Sequence, residues 1–201
     1  MQLSLILFLI GSCSDKKNKS TSVASNKIKI DFPLDSLLSF DSEKELKEVF
    51  GKDVQRSKGY YPEGMGEYTN TLLFPNSKNE VEFVWEDDTL NFNKLFSIRV
   101  FGKNTDWKTK EGITIGTDIN QLEAFNKKPF TFYGLEWDYS GDIQWNDGHL
   151  DERRIYGSID YPGEVMPNEF EGLIGDHTIE SSSKIAKKAK LILSEIVMLR
   201  D

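Results

Sequence analysis

The stretch Asp41-Ser42-Glu43-Lys44-Glu45-Leu46-Lys47-Glu48-Val49-Phe50-Gly51 decides how the rest of the chain is read. Ser42 and Glu45 stand at the S-x-x-E spacing of a capping box, which satisfies two orphan amides where a helix begins. Leu46, Val49 and Phe50 follow at helical spacing, and Gly51 suits the left-handed position that ends a helix. The spacing predicts a short helix over about 42–51. Beyond it lie three runs rich in β-branched and aromatic residues, Tyr68 to Phe74, Val81 to Trp85 and Leu95 to Phe101, which read as strands. Pro75 to Asn79 and Asp87-Asp88 provide the turns between them. This half reads as a helix followed by a three-stranded antiparallel meander.

The same order recurs further on. After Gly112-Ile113-Thr114-Ile115-Gly116, Thr117 is placed to cap a helix bearing Ile119, Leu122 and Phe125, and Pro129 stops it. Strand-like runs then cover Phe130 to Trp137, Ile143 to Trp145 and Arg154 to Ile159, separated by Ser140-Gly141-Asp142 and Asn146-Asp147-Gly148. Residues 46–52 laid over 122–128 keep the apolar positions with few identities, so a tandem repeat is expected. The expected class is α+β, two tandem repeats of a short helix plus an antiparallel three-stranded meander, spanning 30–105 and 106–201. At the C-terminus, Leu191-Ile192-Leu193 and Ile196-Val197-Met198 favour a strand from about Lys190, preceded by a helical turn over 182–188.

The chain has 201 residues, 33 acidic and 25 basic, for a net charge of −8. The first 29 residues hold five lysines and one aspartate, and the remainder holds 20 basic and 32 acidic side chains. An acidic body has no positive field to gather phosphates, which argues against nucleic acid as a partner. A single cysteine, Cys13, excludes an internal disulfide, and with two histidines it leaves no ordinary structural zinc set.

Leu3 to Ile10 is an apolar run, too short to span a bilayer, which needs roughly 20 residues. It is followed by Gly11, Ser12 and Cys13, and Ile10-Gly11-Ser12-Cys13 resembles the lipobox of bacterial lipoproteins. That resemblance implies a signal peptide over 1–12, cleavage before Cys13 and palmitate-type acylation of Cys13. Two or three acyl chains give stable membrane anchoring where one does not. The n-region, Met1-Gln2, departs from the usual pattern because it carries no positive charge. Residues 13–29 read as the lipidated cysteine and a tether, since Ser14 to Asn26 has almost no apolar side chain to offset ordering entropy. The expected location is the cell envelope, anchored to the outer membrane, on its periplasmic or its surface face.

No G-x-S-x-G, HExxH, P-loop or G-x-G-x-x-G occurs. His149 falls in a turn and His177 beside Asp176 in a loop. Glu136, Asp138, Asp142, Asp147 and Asp151 cluster in sequence, but strand alternation makes the first two part of a polar outer face. Asp142 to Gly148 departs from a calcium loop in its glycine position and lacks the closing bidentate glutamate. No catalytic residue, metal ligand or cofactor is assigned. The aromatic side chains offer the better lead. Trp85, Trp137, Tyr139 and Trp145 fall on or beside hairpin strands, and exposed together they would make a platform for a sugar or a protein hot spot. Their flanking charges favour burial of Trp85 and Trp137, while Tyr60-Tyr61-Pro62 and Tyr161-Pro162-Gly163 read as exposed loops.

Gly112 to Gly148, through Gly-Ile-Thr-Ile-Gly-Thr at 112–117, Leu122, Asn126-Lys127-Lys128-Pro129-Phe130, Gly134, Trp137 to Gly141 and Trp145, resembles a family of uncharacterised lipoproteins of the Bacteroidota. Lys127 stands where that pattern has glycine. In outline the helix-plus-meander repeat is similar to BamE-like lipoproteins and to β-lactamase-inhibitor-type tandem repeats, which bind other proteins on an exposed sheet face. The resemblance implies a non-enzymatic, membrane-anchored protein that binds a protein or peptide partner through an antiparallel sheet. The alternative is a carbohydrate-binding or carbohydrate-processing lipoprotein.

Overall fold

The computed structural model describes residues 30–60 and 66–200. Cys13, the lipobox, the tether and Tyr61-Pro62 lie outside these residues. Helix α1 (Glu43–Phe50) starts where the capping box places it. The Ser42 hydroxyl accepts from the Glu45 amide at 3.3 Å, and the Glu45 carboxylate turns back to the Asp41 amide at 2.9 Å. Gly51, at φ +57°, closes the helix.

Four strands follow, β1 (Val54–Tyr60), β2 (Glu67–Leu73), β3 (Val81–Asp87) and β4 (Asn93–Val100). The last three are the runs read from the sequence. β1 is an addition: its Gln55-Arg56-Ser57-Lys58-Gly59 core is polar, a composition that suits a sheet edge, where charges discourage pairing with other chains.

The second part contains α2 (Ile119–Asn126), β5 (Thr131–Tyr133), β6 (Ile143–Gln144), α3 (His149–Glu152), β7 (Ile155–Asp160), β8 (Thr178–Glu180), α4 (Lys184–Ala189) and β9 (Ile192–Leu199). Asp118, not Thr117, caps α2. Its carboxylate accepts from the Asn120 and Gln121 amides at 2.9 and 3.2 Å, and Gln121 reaches back to the Asp118 amide. The Thr117 hydroxyl is instead engaged with the Thr114 carbonyl at 2.7 Å. Lys127 ends α2 at φ +63°, the left-handed position that favours glycine. The turn at 182–188 and the strand after it are α4 and β9, joined at Lys190.

The class is α+β. One antiparallel sheet has the order β1-β2-β3-β4-β9-β7, and a second has the order β6-β5-β8. The tandem repeat is not confirmed, because the strands of the second part do not form one meander. β5 and β6 pair, but β7 pairs with β9, which lies between it and β4. The run expected over 130–137 stops at Tyr133, since Glu136 and Tyr139 adopt φ +61° and +58° and turn the chain.

One face of the large sheet is the core. Phe83, Ile98, Val100, Ile155, Ile196 and Met198 pack there with Leu34, Leu37, Leu46, Trp107, Ile119 and Leu122. Each such large apolar side chain contributes about 1.5–3 kcal/mol on burial. Asn126 joins three segments within this core. Its amide donates to the Trp145 and Lys128 carbonyls at 2.9 and 3.2 Å, while its oxygen accepts from the Leu150 amide at 3.1 Å.

Candidate binding face

The opposite face of the large sheet follows from strand alternation. In β3, Glu82 and Val84 point away from the side taken by Val81, Phe83 and Trp85; in β4, Ser97 and Arg99 point away from Ile98 and Val100. Register carries the same face across the sheet. Ser57 lies opposite Asn70, Leu72 opposite Glu82, Glu82 opposite Arg99, Arg99 opposite Val197, Tyr156 opposite Val197, and Ser158 opposite Glu195.

A continuous polar network runs along this face. The Glu82 carboxylate, 5% exposed, accepts from the Tyr68 hydroxyl at 2.9 Å and from the Asn70 amide, and lies 3.7 Å from the Arg99 guanidinium. Gly59 makes the Tyr68 contact possible, because a Cβ there would stand 2.2 Å from the phenol ring. On its other side Arg99 donates to Glu195, and the Ser158 hydroxyl lies 2.6 Å from Asp142 and 3.3 Å from Glu195. Asp142 comes from the loop entering β6 and forms a backbone bridge with Ser158, so it joins the small sheet to the large one.

These environments move the ionisable groups. Burial, then the hydrogen bond to Glu82, raises the Tyr68 phenol to about 12. Burial, then the charge of Glu195, raises the Asp142 carboxyl above the ordinary aspartate value, against the pull of the Ser158 hydrogen bond. Burial alone would lower the Arg99 guanidinium, but the hydrogen bond and charge of Glu195 and the charge of Glu82 outweigh it and raise it. The side chains are therefore held as a cation between carboxylates, beside a further carboxyl that titrates above the ordinary aspartate value.

Two clefts flank Arg99. One, of about 490 Å³, is lined by Arg99, Glu195, Ser158, Asp142, Tyr156 and Val197 together with neighbouring strand residues. The other, of about 250 Å³, has Asn70, Glu82, Tyr68, Leu72 and Phe101 among its lining residues. Both linings come from strands and the residues next to them, and neither includes a helix residue.

The four aromatic residues singled out in the sequence do not converge. Trp85 is a core side chain, 3% exposed, stacked on Phe83 with its indole N–H donating to the Thr71 hydroxyl at 2.9 Å. Trp145, also 3% exposed, packs edge-on against Phe130 and donates to the Ile155 carbonyl. Neither is available to a ligand. Trp137 is 56% exposed, contrary to the burial expected of it, because the strand that would have buried it ends at Tyr133. Tyr139 is exposed beside Tyr133, with ring centroids 5.8 Å apart. Tyr60 is exposed as expected, whereas Tyr161 is half-buried against Phe170. His177 is an exposed loop residue 3.3 Å from the Gly172 carbonyl.

Among the described residues no group of three or more His, Cys, Asp or Glu side chains is arranged to hold a metal ion, and no helix is long and apolar enough to cross a membrane. The sequence did carry a sign of the network: Glu82 and Arg99 are single charged residues set between apolar neighbours in β-type runs. The pairing of β9 with β4, which brings Glu195 to Arg99, had no local sign.

The fold defines an α+β protein, one face of whose large sheet carries no helix among the described residues. No family model and no curated protein matches the chain. Among solved structures, the crystal structure of the uncharacterized protein yfeY from Escherichia coli is similar at 14% identity, covering 79% of this chain and 88% of that one with a TM-score of 0.43. At that degree of likeness nothing about function passes from one protein to the other.

Proposed function

We propose that the chain is a lipid-anchored, non-enzymatic protein of the bacterial envelope that binds a partner protein through the open face of the six-stranded sheet. The observation that carries the reading is the face itself. It holds two clefts lined by strand residues, and half-buried Leu72, Val84, Val197 and Leu199 lie among its polar groups. Apolar side chains interspersed with oriented polar groups give a docking surface both desolvation energy and register. The lipobox at Ile10 to Cys13 supports the anchor, and the lysine-bearing segment before residue 30 would favour anionic head groups while the acidic body stands off them. Of the rings on which the saccharide alternative relies, Trp137 and Tyr139 are exposed.

Protein isolated from native membranes tests both parts. The mature N-terminal peptide should begin at Cys13 with a diacyl or triacyl mass that Cys13→Ser abolishes. A pull-down should recover a stoichiometric partner that Val84→Arg loses and Lys128→Glu, on a remote surface, retains. An uncut and unmodified N-terminus would remove the anchor. Equal recovery by both variants would remove the face.

A further inference from the structure

The open face is short of hydrogen-bond donors, and the shortage occurs in both clefts. In the larger one, the carboxylates of Asp142 and Glu195 converge on the hydroxyl of Ser158, which has a single proton for two acceptors. In the smaller one, Asn70 is 4% exposed, its amide is committed to Glu82, and its Oδ1 has no partner among the described residues. A buried acceptor without a donor is costly and is met by a group that arrives with one. Arg99 does not meet this need: its guanidinium is turned to Glu195 and toward Glu82, and the Asn70 oxygen stays without a partner.

Charge points the same way as hydrogen bonding. From residue 30 onward the chain carries 32 acidic and 20 basic side chains. Apolar surface lies beside each acceptor site: Leu72 in the smaller cleft, and Tyr156, Val197 and Leu199 in the larger. This is the arrangement that receives a long basic side chain, with its aliphatic stem on the apolar wall and its charged head on the acceptors.

We infer that the partner presents an extended basic segment, laid diagonally across the strands, with one lysine or arginine entering each cleft. This rests on the proposal that the open face is the docking surface. Asn70 is on β2, and Glu195 and Ser158 are on β9 and β7, three and four strands away. Register carries Leu72 through Glu82 and Arg99 to Val197, with Asn70 two residues to one side of that line and Glu195 two to the other, so about 13 Å along the strands and about 4.8 Å per strand across them put the two acceptor sites about 20–23 Å apart. An extended segment rises about 3.3 Å per residue and sends alternate side chains to opposite sides, so the basic residues stand about six positions apart.

The test uses full-length protein in detergent and a fluorescent peptide, TKTVTVTKT, whose lysines are six apart, read by anisotropy. The inference expects saturable binding that falls at least about tenfold in Asp142→Asn, in Asn70→Leu and on raising salt from about 0.05 to 0.5 M. A peptide with glutamate in place of lysine should not bind, and one with lysines three apart should bind at least about tenfold more weakly. Thermal melts of both variants report whether they fold. Absence of saturable binding by TKTVTVTKT, equal binding of the glutamate peptide, or unchanged affinity in both folded variants overturns the inference. If the lysine peptide fails while the membrane pull-down still loses its partner with Val84→Arg, the face stands and the basic chemistry falls. If both fail, both fall.

Discussion

Replacing Arg99 by methionine tests whether the polar network is an integral part of the fold. Methionine keeps most of the aliphatic stem and removes the guanidinium, so the main change is electrostatic. Glu82, whose side chain is 6% exposed, then loses the cation 3.7 Å away but keeps the hydrogen bonds from Tyr68 and Asn70. Removing one member of a fully buried pair costs about 3–5 kcal/mol. The Arg99 side chain is 43% exposed, so water already screens part of the interaction, and the expected loss falls to about 2 kcal/mol. In R99M/E82Q the buried Glu82 charge is gone, Glu195 alone lacks its guanidinium donor, and the amide oxygen that replaces the Glu82 carboxylate still accepts from both Tyr68 and Asn70. The double variant should recover at least about 1 kcal/mol relative to R99M. Urea unfolding of wild type, both single variants and the double provides the cycle, with the m-values checking that the denatured state is unchanged. A loss below about 0.5 kcal/mol in R99M, or no recovery in the double variant, would refute the reasoning.

Other expectations follow from the same structure. Trp145→Ala should cost about 3–5 kcal/mol and Trp137→Ala no more than about 0.5 kcal/mol in chemical unfolding, because one ring is core and the other is exposed. Lys127→Gly should stabilise the protein by about 0.5–1 kcal/mol, seen as a higher urea midpoint, since Lys127 occupies the left-handed C-cap at φ +63°. The raised Asp142 carboxyl favours the folded state below the unfolded aspartate value and loses that contribution as pH rises through its folded value. Asp142→Asn should therefore improve relative to wild type on going from pH 3 to pH 7 in paired melts, and a variant that loses ground on wild type over that range would contradict the assigned environment.

Local chemistry makes some elements legible. The Ser42–Glu45 box marks α1, the β-branched runs mark β2, β3 and β4, and the apolar runs at 191–193 and 196–198 mark β9. The cap of α2 is ambiguous in the sequence because Thr117 stands before Asp118 and both are capping types, and only three dimensions show the Thr117 hydroxyl turning back to Thr114. β1 carries no strand signal because an edge strand needs little apolar pattern. The destination of β7 is not legible either: a strand run states that it will pair, and its partner is fixed by contacts distant in sequence. The candidate face shares that difficulty in part: Asn70, Glu82 and Arg99 meet through the β2–β3–β4 meander, while Glu195, Ser158 and Asp142 join them only when β9 enters between β4 and β7. The tryptophans stand out by residue type, while burial of Trp85 and Trp145 reflects ring size and the polar partners found for their N–H groups.

Photo-crosslinking in native membranes, with a benzophenone amino acid placed at Leu72 and at Val197 on the open face and at Lys128 as a remote control, tests the central claim most directly. The account predicts the same partner protein crosslinked from both face positions and not from Lys128, with the crosslinked partner peptide carrying basic residues about six apart. Crosslinking from Lys128 alone, or no product from either face position while the protein is folded and membrane-bound, would contradict it.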